Sequence, residues 1–62
     1  MKGAKQISER AFIRLLRGQV DRVATRIIDS EVVTSFYSKL GLVCFTQSSG
    51  ASTKCFDARR AL

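Results

Sequence analysis

Five arginines, Arg10, Arg14, Arg17, Arg22 and Arg26, are the residues of this 62-residue sequence best suited to act on a partner. A guanidinium is a planar fork of donors that grips a phosphate or a guanine edge with two parallel bonds, whereas an ammonium acts as a point charge. Lys2 and Lys5 precede this run, and Arg59 and Arg60 follow near the end of the sequence. The charge is unevenly spread. Residues 1–28 carry +5, residues 29–57 carry −1 and the last five carry +2, for a total of +6.

A polycation of this kind attracts nucleic acid through phosphate contacts and release of condensed counterions. The sequence therefore predicts a small nucleic-acid-binding regulator, with DNA favoured over RNA. Its contacts are expected from Arg10, Arg14, Arg17, Arg22 and Arg26, helped by Lys2, Lys5, Arg59 and Arg60. Electrostatic steering does not distinguish phosphate from carboxylate. The alternative is thus an adaptor or inhibitor whose basic helix docks on an acidic protein surface. The aromatic residues sit at core-like spacing, so no stacking platform for single strands is expected.

Other chemistries lack their parts. There is no histidine to activate a nucleophile, and Glu9, Asp21, Asp29, Glu31 and Asp57 are scattered as caps and salt-bridge partners rather than paired. Gly41 and Gly50 stand alone, without the spacing of a phosphate-binding loop. Two cysteines without C-x-x-C spacing or histidine cannot close a tetrahedral zinc site. The expectation is no enzyme, no metal and no cofactor. No apolar run reaches the roughly 18 residues that cross a bilayer. No signal-peptide core follows the basic start either, so a cytoplasmic protein with reduced thiols, acting away from membranes, is expected.

These side chains need elements to position them. The sequence reads as a single α+β domain: a basic lead-in at 1–7, a helical region at 8–28, a second helix at 31–40, a β-hairpin at 42–57 and a basic tail. Ser8 is placed to cap the first helix, with Glu9 in its first turn. Ile13, Leu16, Val20, Val23 and Ile27 fall on one helical stripe, bordered by the arginines. Gly18 either interrupts this helix, giving a pair, or is tolerated within one long rod. Asp29 and Ser30 read as a turn and cap. Val32, Val33, Phe36, Tyr37 and Leu40 recur at helical spacing, with Gly41 closing the helix, although β-branched and aromatic residues also suit a strand.

In the hairpin, a turn at Ser49-Gly50 pairs positions summing to 99, which sets Cys44 opposite Cys55. Val43, Phe45 and Phe56 then share the face turned to the helices, and the cysteines share the other. Residues 23–33 match a helix-turn-helix pattern at Ala24, Ile27 and Ser30 but miss it at Ile28, Asp29 and Thr34. Helices followed by a hairpin resemble a winged-helix layout, with residues 47–54 as the wing. The resemblance covers layout only. An apolar stripe running past Gly18 exceeds what one short helix and a hairpin can cover, so a two-fold homodimer is also expected.

Overall fold

The computed structural model describes residues 4–18 and 20–59. They form β1 (Lys5–Ile7), α1 (Glu9–Leu16), β2 (Arg22–Ile28), β3 (Glu31–Ser38), β4 (Gly41–Ser49) and β5 (Ser52–Asp57). The five strands make one sheet in the order β1-β5-β4-β3-β2, and every pairing is antiparallel. From β2 onward the chain is a meander of hairpins. The helix carries the chain from β1 at one edge of the sheet to β2 at the other.

This architecture corrects the α+β reading with two helical regions. The first helix begins as expected: the Ser8 Oγ accepts from the Ala11 N–H at 3.2 Å and Glu9 lies in the first turn. It ends at Leu16, with Arg17 as its C-cap and Gly18 immediately beyond. Residues 22–28 are a strand because the same side chains that recur at helical spacing also alternate. Val23, Thr25 and Ile27 take one face while Arg22, Ala24 and Arg26 take the other. β-Branched residues favour the pleated form.

The segment read as a second helix, 31–40, is β3 and the turn after it. Asp29 and Ser30 do form a turn. Both have positive φ, 50° and 65°, as a two-residue type I′ hairpin requires, so they close β2 onto β3 rather than cap a helix. The residues compared with a helix-turn-helix are this hairpin, and no winged-helix layout exists. Gly41 opens β4 after the Lys39-Leu40 turn instead of ending a helix.

The C-terminal hairpin is present with its register displaced. Ser49 pairs with Ser52, so Gly50 and Ala51 form the turn and Gly50 supplies its positive φ of 60°. Cys44 consequently faces Asp57, while Cys55 faces Thr46. The two cysteines still share a face, but it is the helix side, the reverse of the expected arrangement.

Phe12 of the helix meets Phe36 edge-to-face, with ring centroids 5.5 Å apart. Phe36 stands opposite Cys44, which is fully buried. These rings occupy the space between helix and sheet, and a small thiol fits beneath them. Phe45 and Phe56 lie on the opposite face, stacked at 4.8 Å. The buried apolar residues are only Phe12, Cys44 and Phe45 among those described, a small core even for this length.

Candidate functional site

Strand alternation sorts the cations into separate sets. Arg10, Arg14 and Arg17 follow one another at i, i+4 and i+7, so they share one exposed stripe of the helix. Arg14 and Arg17 sit at its C-terminal end, where positive charge suits the helix dipole, which gives them a structural role as well.

Arg22 and Arg26 are not helical. They project from β2 on the side of the sheet away from the helix, where Lys54 of β5 also lies. The five arginines expected on one helix are therefore split between the two sides of the domain.

Two further candidates separate from these. Lys5 stands opposite Asp57 on the helix side. Arg59 is engaged with the same carboxylate: its Nη2 lies 2.9 Å from Asp57 Oδ2, and its Nε and backbone N–H donate to Oδ1 at 3.1 and 2.9 Å. These bonds hold the Asp57 carboxyl below its ordinary value. The contact therefore favours folding above the unfolded carboxylate pKa and is lost as pH falls through the lower folded one. Lys2 and Arg60 lie outside the described residues.

The sheet face away from the helix combines charge with aromatic surface. The Arg22 guanidinium carbon sits 4.6 Å from the centre of the Tyr37 ring, its direct cross-strand neighbour. Phe56 is half-buried beside the covered Phe45. Ser35 and Ser49 add short hydroxyl side chains and Gln47 a longer amide. The acid on this face, Glu31, accepts a hydrogen bond from Gln47 Nε2. Among the described residues the ion pair is Arg59–Asp57, so Arg22, Arg26 and Lys54 have no carboxylate partner. The aromatics are thus divided, Phe12 and Phe36 to the helix side and Tyr37, Phe45 and Phe56 to the opposite face, where Phe45 is buried. Sequence spacing had assigned all of them to packing.

On the helix side, a depression bordered by Ile7, Glu9, Phe12, Thr46, Lys54 and Cys55 has one acidic and one basic residue at its rim, with no ion pair between them among the described residues. Burial raises the Cys44 thiol pKa, with the Asp57 charge adding to it; burial and then Glu9 raise that of Cys55. Both are free thiols. At neutral pH in the folded protein, Cys55 is expected to take up a thiol reagent well before the enclosed Cys44. Peptide mass spectrometry after timed labelling checks this, and equal rates would contradict it. Raised thiol values favour the folded chain below the unfolded thiol pKa, a contribution lost as pH climbs through the folded values. The melting temperature is accordingly expected to drop in alkaline solution, and less so in Cys44→Ala.

Among the described residues no three histidine, cysteine, aspartate or glutamate side chains gather where they could hold a metal ion, and no helix is long and apolar enough to cross a membrane. No protein-family model matches the chain, and no significant match to it is found among curated proteins or solved structures.

Proposed function

We propose that this chain is a small nucleic-acid-binding protein that holds a single strand against the sheet face opposite its helix. The observation that carries the reading is the Arg22 guanidinium placed over the Tyr37 ring, 4.6 Å from its centre, with Arg26 on the same strand face and no carboxylate among the described residues engaging either guanidinium. Single strands are bound by surfaces of this composition. Cations track the phosphates, while flat side chains, including guanidinium planes, receive unstacked bases. Short serine side chains beside them leave the backbone open to approach and supply donors and acceptors.

The helix stripe of Arg10, Arg14 and Arg17 contributes long-range attraction to the same polyanion. It lacks an aromatic neighbour at its surface, so it supplies steering rather than a seat for bases. A flat sheet also fits the major groove poorly compared with a helix or a two-stranded ribbon, which favours single strands over duplex.

Fluorescence anisotropy with labelled single-stranded DNA and RNA oligonucleotides and the matching duplexes, repeated over a range of salt, tests this reading. The expected result is tighter binding to single strands, with log affinity falling linearly against log salt. Affinity independent of salt, or preference for duplex, would overturn it. Capture of one acidic protein that persists after nuclease treatment, with no oligonucleotide binding, would establish the adaptor reading instead.

A further inference from the structure

The outer edge of β2 carries the second conclusion. β1, at the other edge of the sheet, is only three residues long and so offers little to pair with. β2 is seven residues long, and its ladder to β3 runs without a shift. It contains no proline and no register shift to blunt a free edge, and its two charged side chains, Arg22 and Arg26, both project from the face away from the helix. Its apolar side chains are also strongly exposed: Ile27 at 76%, Val23 at 54% and Ile28 at 51%. The eight-residue helix packs over β4 and β5 and leaves Val23, Ile27 and the neighbouring Val32 uncovered.

We propose that β2 is the interface of a homodimer, pairing antiparallel with β2 of a second copy across a two-fold axis at Thr25. A two-fold perpendicular to the sheet keeps each strand's faces aligned, so only registers pairing even with even positions are allowed. Three such registers place most of the strand in contact. Pairing centred on Ala24 sets Arg22 directly against Arg26, and pairing centred on Arg26 sets that arginine against itself. Both place like charges opposite each other, which is destabilising.

The register centred on Thr25 avoids both clashes. Val23 then meets Ile27, Arg22 meets Ile28, and Ala24 meets Arg26, so all seven residues are paired. The closing Ile28–Glu31 pair of the two-residue hairpin directs the backbone groups of the even positions toward β3. Val23, Thr25 and Ile27 therefore turn their N–H and C=O groups outward, and this register joins them to one another.

The product is a continuous ten-stranded sheet with both helices on one side. Val23, Ile27 and Val32 of the two copies form one apolar strip on that side. On the other side, Arg22 and Arg26 of each copy form a cationic band across the axis. The two Arg26 side chains become diagonal neighbours, and a bound polyanion would offset their repulsion. Strand pairing does not depend on the nucleic-acid reading, although the two are linked through this band. The homodimer expected from an unbroken first helix loses that basis, since the helix ends before Gly18. The edge strand supplies another.

Sedimentation of the full chain without nucleic acid, at tens of micromolar and in enough salt to screen the arginines, tests the proposal. The expected mass is about twice the 6.9 kDa of one chain. Ile27→Lys, at a position already exposed, is expected to return it to the single-chain mass with an unchanged circular dichroism spectrum. Thr25→Cys gives an independent readout. Opposed hydrogen-bonded residues lie about 5.5 Å apart at Cα, which suits a disulfide, so mild oxidation is expected to yield a cross-linked dimer. A single-chain mass for the unsubstituted protein, or a dimer that neither Ile27→Lys dissociates nor Thr25→Cys cross-links, would overturn the interface. Oligonucleotide binding by monomeric Ile27→Lys is scored separately, so loss of the dimer and loss of the binding face remain distinguishable.

Discussion

Replacing both Arg22 and Arg26 by alanine is expected to weaken single-strand binding at least roughly tenfold at moderate salt, while the fold persists. Each phosphate contact to a single strand contributes about 0.7 to the slope of log affinity against log salt, so loss of two should reduce that slope by about 1.4. Arg22 also places its guanidinium over Tyr37, and an exposed cation–π contact of this kind contributes on the order of 0.5–1 kcal/mol. The Arg22→Lys variant retains charge but loses the plane. It should preserve the salt slope and still lower affinity. Substituting Arg10 and Arg14 on the helix should flatten the salt dependence with a smaller loss of affinity, because nothing on that surface stacks a base. If the helix pair carries the larger loss, the binding face has been assigned to the wrong side of the sheet.

The second large effect falls on stability. Phe12→Ala removes the one buried side chain of α1 and its edge-to-face contact with Phe36. A phenylalanine-to-alanine change in a core costs about 3–5 kcal/mol from lost transfer energy and the cavity left behind. At the usual 0.05–0.15 kcal/mol per residue, a chain of this size has a total stability of roughly 3–9 kcal/mol. The variant is thus expected to unfold at much lower denaturant concentration, or to populate the unfolded state without denaturant. Phe12→Leu, which keeps most of the volume, should lie between it and the parent. A chemical-denaturation midpoint unchanged by Phe12→Ala would mean that the helix does not stabilise the sheet.

The parts of this fold legible in the sequence are those with local chemical causes. Ser8 caps the helix because its hydroxyl is placed to accept from the Ala11 N–H. The helix stops at Leu16, one of the two outcomes the sequence leaves open at Gly18, and Asp29-Ser30 tolerates the left-handed backbone of a tight turn. The β4–β5 hairpin is legible for the same reason. Residues 22–28 and 31–38 read as helix because short segments satisfy both periods: Val23 and Ile27 are four apart on a helix and two steps apart on one strand face. Tertiary pairing, which the sequence does not display, selected the strand.

The choice of turn pair had a different consequence. Moving it from Ser49-Gly50 to Gly50-Ala51 changed every cross-strand partner yet kept Cys44 and Cys55 on one face, since both registers have odd sums. The face that meets the helix is the one carrying Phe36, which packs against Phe12 and pairs with Cys44. The candidate site was legible in composition, as an arginine-rich N-terminal half. It was not legible in geometry, because dividing Arg10 and Arg14 from Arg22 and Arg26 required knowing where helix became strand.

The most direct measurement is a map of backbone amide shifts by nuclear magnetic resonance while the full chain is titrated with a short single-stranded oligonucleotide. Binding on the proposed face predicts that the largest changes fall at Arg22, Arg26, Tyr37 and Lys54. Changes confined to Arg10, Arg14 and Arg17, or no changes at saturating oligonucleotide, would contradict it.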